Sequence, residues 1–226
     1  MIEPRERAVW SRVSHLAVAC AIAGVCLPAP SLLAQNRDAR FGARFWTEAG
    51  AAFGAALLAD EPLRRFMAAH QSHAFDRAAN LIDPFGRARL LVPALAASAV
   101  IPRFFHARPL ADAALRIGLG YAAADLAGGA MRVVIARHRP DSTGDPWRFR
   151  PFRPQGDWGS MPSAHVTHAF AIAAGIASES KRPWLAGLVY GMASLVAVQR
   201  IYRQAHWSSD VVVGATMSIS VSRAVQ

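Results

Sequence analysis

Apolar residues in this chain gather into stretches of helical length, and proline, glycine and charge separate them. Residues 16–27 form one unbroken apolar run, and 45–58 form a second that is rich in Ala and Gly. Asp60-Glu61-Pro62 predicts the opening of a separate helix, with proline in its first turn and acids at the positive end of its dipole. Residues 63–75 are amphipathic and polar enough for a surface. Residues 90–101 are apolar between Arg89 and Pro102-Arg103. The longest predicted helix covers 111–137 and carries Gly118, Gly120, Gly128 and Gly129, small residues that allow helices to approach closely. The prolines, glycines and aromatic–basic alternation of 141–158 predict a loop. Ser163 then starts a helix over 164–178, Lys181-Arg182-Pro183 turns the chain, and 184–199 is a further apolar helix. The last helix starts at His206 or Ser208 and ends near Ser222. No stretch alternates with period 2 for long enough to predict a strand, and no internal repeat is present.

Length and composition narrow the class. A chain of 226 residues suits one domain. Its 53% apolar content exceeds the usual soluble range. After residue 35 no segment reaches 18 apolar residues without an ionisable interruption, so the helices suit either a membrane bundle or the buried helices of a globule. The net charge is +10, carried far more by arginine than by lysine, which points to an anionic partner. Zinc-finger spacing and an Arg-rich helix on a polar domain are both lacking, so nucleic acid is the weakest of the anionic partners.

The first 34 residues have the layout of an export signal or an uncleaved anchor. Arg5, Arg7 and Arg12 precede the apolar run, Pro28 and Pro30 end it, and Ala34-Gln35 offers a cut site. Both cysteines, Cys20 and Cys26, lie in that run, so its removal would leave a chain with no disulfide framework. The expected organisation is a signal or anchor over 1–34, N-terminal helices over 35–89 and a core over 90–226 that shares one domain with them. The site is expected to face outward from the cell membrane or into the periplasm.

Three segments carry the candidate chemistry. The first is Arg132-x6-Arg139-Pro140; on one helix a seven-residue step is nearly two turns, so both guanidiniums would share a face and clamp a phosphate. The second is Pro162-Ser163-Ala164-His165, where a serine N-cap and free backbone N–H groups make an anion site with His165 in the first turn. The third is Arg200-x5-His206-x3-Asp210. His206 and Asp210 are four residues apart, on one helix face, so the carboxylate can fix the imidazole tautomer and leave the other nitrogen free to attack. Arg200 falls at the wrong angle for that helix and is expected at the end of the preceding one. Each segment alone also suits a bland reading as surface arginines, a capped helix or a structural His–Asp pair. The three in order, with spacers of 21 and 34 residues, do not.

At these residues the chain resembles the type 2 phosphatidic acid phosphatase and vanadium haloperoxidase superfamily, whose pattern is K-x6-RP, PSGH and SR-x5-H-x3-D. The resemblance covers roughly 90–222 and implies an all-α helical bundle of about four to six core helices, membrane-embedded or membrane-associated. It implies phosphate binding by Arg132, Arg139, Ser163, Ala164 and Arg200. It implies His165 as the acid that protonates the leaving oxygen, His206 as the nucleophile that becomes phosphohistidine, and Asp210 as its orienting partner. No metal or other cofactor is implied. The expected substrate is a phosphorylated lipid, such as phosphatidic acid, phosphatidylglycerol phosphate or polyprenyl diphosphate, or a small phosphate ester. Three departures stand out: arginine at 132 for lysine, alanine at 164 for glycine, and Gln199 for serine. None removes a charge or a proton-transfer group.

Two rival functions use the same residues. A vanadium-dependent haloperoxidase would hold vanadate there, with His206 as ligand. A non-catalytic phospholipid-binding membrane protein would need none of His165, His206 and Asp210. Around the motifs, His168 reads as a satisfied core or rim histidine, His138 as local polar packing, and Asp125 as a structural partner of Arg132. The aromatic and basic residues 147–153 suit an anionic lipid headgroup or a lid over the substrate.

Overall fold

The computed structural model describes residues 41–226, so the predicted export signal or anchor lies outside the described residues. Within the described residues seven α-helices follow one another: α1 Ala43–Ala69, α2 His73–Ile82, α3 Ala88–Phe104, α4 Arg108–Ile135, α5 Ala164–Ser180, α6 Pro183–Tyr202 and α7 Ser208–Val225. A 3₁₀ turn, Asp83–Gly86, joins α2 to α3. The described residues contain no strand, only one antiparallel bridge between Arg137 and Phe149.

Helix α5 sits at the centre. Its run of Val166, Thr167, His168, Ala169, Phe170 and Ala171 is buried on every face, and α4, α6 and α7 pack around it. Helix α1 closes α7 and α6 from one side through Ala56, Leu63 and Met67, while α3 lies against α4. Small side chains on α5, among them Ala169, Ala171, Ala173 and Ala174, let these neighbours approach closely.

Two expected helix boundaries move. Asp60-Glu61-Pro62 opens no new helix, because α1 runs through it with Pro62 inside. Asp60 is buried and fully bonded to Ser208, Ser209 and Arg137, so its charge marks a tertiary contact and not a helix start. The break falls instead within the expected 63–75 helix, where Ser72 caps α2 by accepting from the Phe75 N–H at 3.3 Å. Gln71 there donates to the Tyr202 carbonyl at 2.9 Å, which ties the turn to α6.

Helix α6 is long and apolar enough to cross a membrane, and the bent pair of Ala88–Phe104 with His73–Gly86 would make a second such span. Helix α4 carries Leu115, Leu119, Leu126 and Val133 exposed at steps of four and seven residues, which is one outward stripe. Trp184, Leu188 and Leu195 make the same kind of stripe on α6.

Candidate active site

Five segment ends meet at one end of the bundle: the 3₁₀ turn, the C-terminus of α4, the N-terminus of α5, the C-terminus of α6 and the N-terminus of α7. They bring the three sequence motifs together, by a route that differs from the expected one at the first motif. Helix α4 stops at Ile135, and Ala136 takes a left-handed conformation with φ of 42°. Arg139 therefore lies beyond the helix and does not share a helical face with Arg132. The chain folds back instead: the His138 N–H donates to the Arg148 carbonyl at 3.0 Å, and the Arg150 N–H to the Ala136 carbonyl at 2.9 Å. This return of the 141–158 loop carries Arg139 to the site, where its charge bears on His206. It also turns Arg137 fully inward.

Arg132 lies in the last turn of α4, its Nη2 3.6 Å from Asp125, the structural partner expected of it. Gly128, one turn earlier, lies beside the guanidinium: a Cβ there would be in van der Waals contact with Arg132 Nη1 at 3.4 Å. Ser163 occupies the N-cap position of α5, yet its hydroxyl makes no capping bond. His165 and Ala164 follow in the first turn. Arg200 lies in the last turn of α6, as expected, and its Nη1 reaches Asp83 at 3.2 Å.

Arg132 Nη1, Arg139 Nε, Ser163 Oγ and Arg200 Nε are all buried with no hydrogen-bond partner among the described residues. Buried polar atoms of this kind are rare in folded proteins, because each forfeits its water without a replacement. Other buried polar atoms, Thr167 Oγ1 and Ser194 Oγ among them, also lack a partner among the described residues; what sets these four apart is that they belong to the three motifs and come from four separate segments. Together with the free N–H groups of the α5 N-terminus they form a cradle suited to an anion with several oxygens.

His206 lies in the turn before α7, not on the helix with Asp210. Its Nδ1 meets the Ser160 carbonyl at 2.8 Å, while Asp210 Oδ2 is 3.8 Å away. The Ser160 carbonyl therefore sets the tautomer: Nδ1 carries the proton and Nε2 keeps the lone pair. Asp210 acts one step back. Its Oδ2 accepts from the Ser160 hydroxyl at 2.5 Å and from the Trp207 N–H at 2.9 Å. Burial, more than any other cause, holds the His206 imidazole below its ordinary protonation range; the charges of Arg200 and Arg139 push the same way, against Asp210.

The 3₁₀ turn belongs to none of the three motifs, yet it forms a wall of the site. Asp83 accepts from Arg200 and Gln199, each at 3.2 Å, pairs with Arg87, and lies 3.7 Å from His165 Nε2. Gly86 lies directly under the imidazole of His165. Asp83-Pro84 reads locally as a helix break, and only its apolar surroundings hinted at burial. His168 is satisfied, as expected, by the Gly86 carbonyl and Asp125, each at 2.9 Å. His138 packs edge-on against Trp158. Among the described residues no three His, Cys, Asp or Glu side chains are grouped as metal ligands.

The model of the PAP2 superfamily matches residues 113–225. Lipid A 1-phosphatase of Porphyromonas gingivalis is 38% identical over 78 residues, a stretch covering 33% of this chain and 18% of that protein. The chain thus spans only a small part of that curated relative. A crystal structure of a transmembrane PAP2-type phosphatidylglycerolphosphate phosphatase from Bacillus subtilis superposes with a TM-score of 0.60 at 23% identity, covering 80% of this chain and 90% of that one. That likeness shows the fold.

Proposed function

The chain belongs to the PAP2 superfamily, and from that premise we propose that it is a metal-independent phosphatase acting on a lipid phosphomonoester or diphosphate at a membrane surface. The observation that carries the proposal is the set of four orphaned polar atoms on Arg132, Arg139, Ser163 and Arg200. A phosphoryl group has the charge and the number of oxygens to satisfy all four, with the Ala164 N–H as a further donor. Three guanidiniums and a helix N-terminus supply a positive field where charge builds up on the transferring phosphoryl group.

In this reading Nε2 of His206 attacks phosphorus with the lone pair that Ser160 and Asp210 leave free. The bond from phosphorus to the leaving oxygen breaks, and His165 gives that oxygen a proton. A water then attacks the phosphohistidine, His165 takes a proton from it, and phosphate leaves. Lipid as the carrier of the phosphate is supported by the names of the two comparison proteins and by the outward apolar stripes of α4 and α6. A soluble surface does not normally present such continuous apolar area.

The test is phosphate release by the detergent-purified protein, with EDTA present, from a panel of lipid and soluble phosphates. Release that persists in EDTA and disappears in His206→Ala supports the proposal. No release from any substrate, or release that EDTA abolishes, overturns it. Halide oxidation after vanadate addition would favour the haloperoxidase chemistry instead.

A further inference from the structure

Between the two arginines of the first motif lies a third, Arg137, and it is fully buried. Its Nη1 donates to Asp210 Oδ1 at 2.7 Å and to Ser209 Oγ at 2.6 Å, its Nη2 to Asp60 Oδ2 at 2.7 Å, and its Nε to the Pro146 carbonyl at 2.9 Å. Trp207 and Phe149 lie against its guanidinium at 5.4 and 5.6 Å. Asp60, from the middle of α1, is 1% exposed, and Asp210 0%. Asp60 Oδ1 accepts from Ser208 Oγ at 2.7 Å and from the Ser209 N–H at 2.9 Å.

One cation between two carboxylates leaves a single excess negative charge inside the bundle. Charges this deep are costly unless paired and fully hydrogen-bonded. Here both carboxylates also cap the positive end of the α7 dipole, Asp60 through the Ser209 N–H and Asp210 through the Trp207 N–H. The network therefore fixes the first turn of α7 and the turn just before it, where His206 stands.

We propose that Asp60 and Arg137 are positioning residues for the nucleophile, acting through Asp210 and Ser160 to hold His206. The chain of contacts is continuous: Asp60 to Arg137, Arg137 to Asp210, Asp210 to the Ser160 hydroxyl, and the Ser160 carbonyl to His206 Nδ1. Arg137 occupies Oδ1 of Asp210, and Ser160 with Trp207 occupies Oδ2, so the carboxylate has one orientation open to it. The role rests on the phosphatase reading of the site. It goes beyond it by placing a residue of α1, outside all three motifs and outside the matched span of 113–225, in control of the attacking nitrogen.

Asp60→Asn keeps the shape of the side chain and removes its charge, on an element that carries no phosphate-binding residue. Arg137→Lys keeps the charge and loses the fork that bridges two carboxylates. Both variants are compared with the wild type in the full chain, with kcat, KM, the pH profile and vanadate inhibition as readouts. The groups facing His206 are Asp210 from α7, Arg200 from α6, Arg139 from the segment after α4, and His165 from α5. None of these changes in Asp60→Asn, so a moved acid limb reports the lost carboxylate. The expected result is kcat lower by roughly 10- to 100-fold, KM and vanadate inhibition within about threefold, and an acid limb moved to lower pH, since a negative charge that favours the imidazolium is gone.

Wild-type kcat and an unmoved acid limb in Asp60→Asn would overturn the inference. So would a rise in KM with kcat unchanged, or the loss of folded protein in both variants, which would make the network purely architectural. Absence of phosphate release by the wild type is a different failure, that of the phosphatase reading itself.

Discussion

Replacing Gly86 with alanine tests whether the 3₁₀ turn sets the position of His165. An added Cβ would lie 2.7 Å from His165 Cβ, 2.8 Å from its Cδ2 and 3.0 Å from its Cγ. Ordinary carbon contacts are about 3.5–4.0 Å, so one partner has to move by roughly 1 Å. The turn is held from both ends. The Gly86 carbonyl accepts from His168 Nδ1 at 2.9 Å, and Asp83 is bound by Arg200 and Gln199 at 3.2 Å. The closest contact is to the His165 Cβ, which the α5 backbone fixes, so the 3₁₀ turn and the first turn of α5 must part and the imidazole is carried with α5. Overpacking of this kind costs about 1–3 kcal/mol of stability. A displacement of about 1 Å in a proton-transferring group costs on the order of 100-fold in rate. Gly86→Ala should therefore stay folded and lower kcat by about 10- to 100-fold, with vanadate inhibition weakened less than kcat, because Arg200 is tied to the turn through Asp83 whereas Arg132 and Arg139 stand on other segments. Steady-state phosphate release with a vanadate titration reads both quantities. Wild-type kcat in a folded Gly86→Ala protein would refute the reasoning that this glycine exists to seat His165.

Ser163→Ala removes a hydroxyl that bonds nothing else among the described residues, so thermal stability should hold while KM rises by about 10-fold or more, the worth of a hydrogen bond to a charged group. A fall in melting temperature with unchanged KM would assign Ser163 to the fold instead. At position 132 lysine should substitute within about tenfold, since it keeps the point charge, whereas alanine should raise KM far more; equal effects of the two would remove Arg132 from the phosphate cradle. The depressed protonation of His206 means the nucleophile stays neutral as pH falls through its ordinary value of about 6.5, so the acid limb of kcat/KM should lie below that value. The same depression makes the unfolded chain bind a proton the folded one refuses, so this contribution to stability is present above pH about 6.5 and fades below it. An acid limb above that pH would contradict the burial argument.

The motifs were legible because each is local. Arg200 at the end of one helix and His206 just before the next follow from a six-residue spacing and a turn that neighbouring residues announce. The helical succession was legible for a similar reason, since each apolar run has its own proline or serine stop. Convergence of the segments was not legible in the same way. The Arg132–Arg139 spacing suggested a shared helix face, but Ala136 adopts a left-handed conformation that no residue type at that position requires. Asp60 looks in sequence like a helix-dipole acid because its partners Ser208, Ser209 and Arg137 lie 77 to 149 residues away. Asp83 and Gly86 were silent for the same reason: a turn that looks like a helix break becomes a wall of the site only once α5 and α6 pack on it. The orientation of His206 by the Ser160 carbonyl, with Asp210 behind it, is likewise a contact across 46 residues.

The most direct test of the account is to trap the phosphoenzyme. The wild-type protein would be mixed with a turning-over lipid phosphate, quenched in alkali, digested and examined by mass spectrometry. A base-stable, acid-labile phosphate on the peptide that carries His206, absent from His206→Ala, is the predicted result. A fully active protein that yields no phosphate on His206 under rapid quench, or carries it on another residue, would contradict the central claim that this imidazole attacks phosphorus.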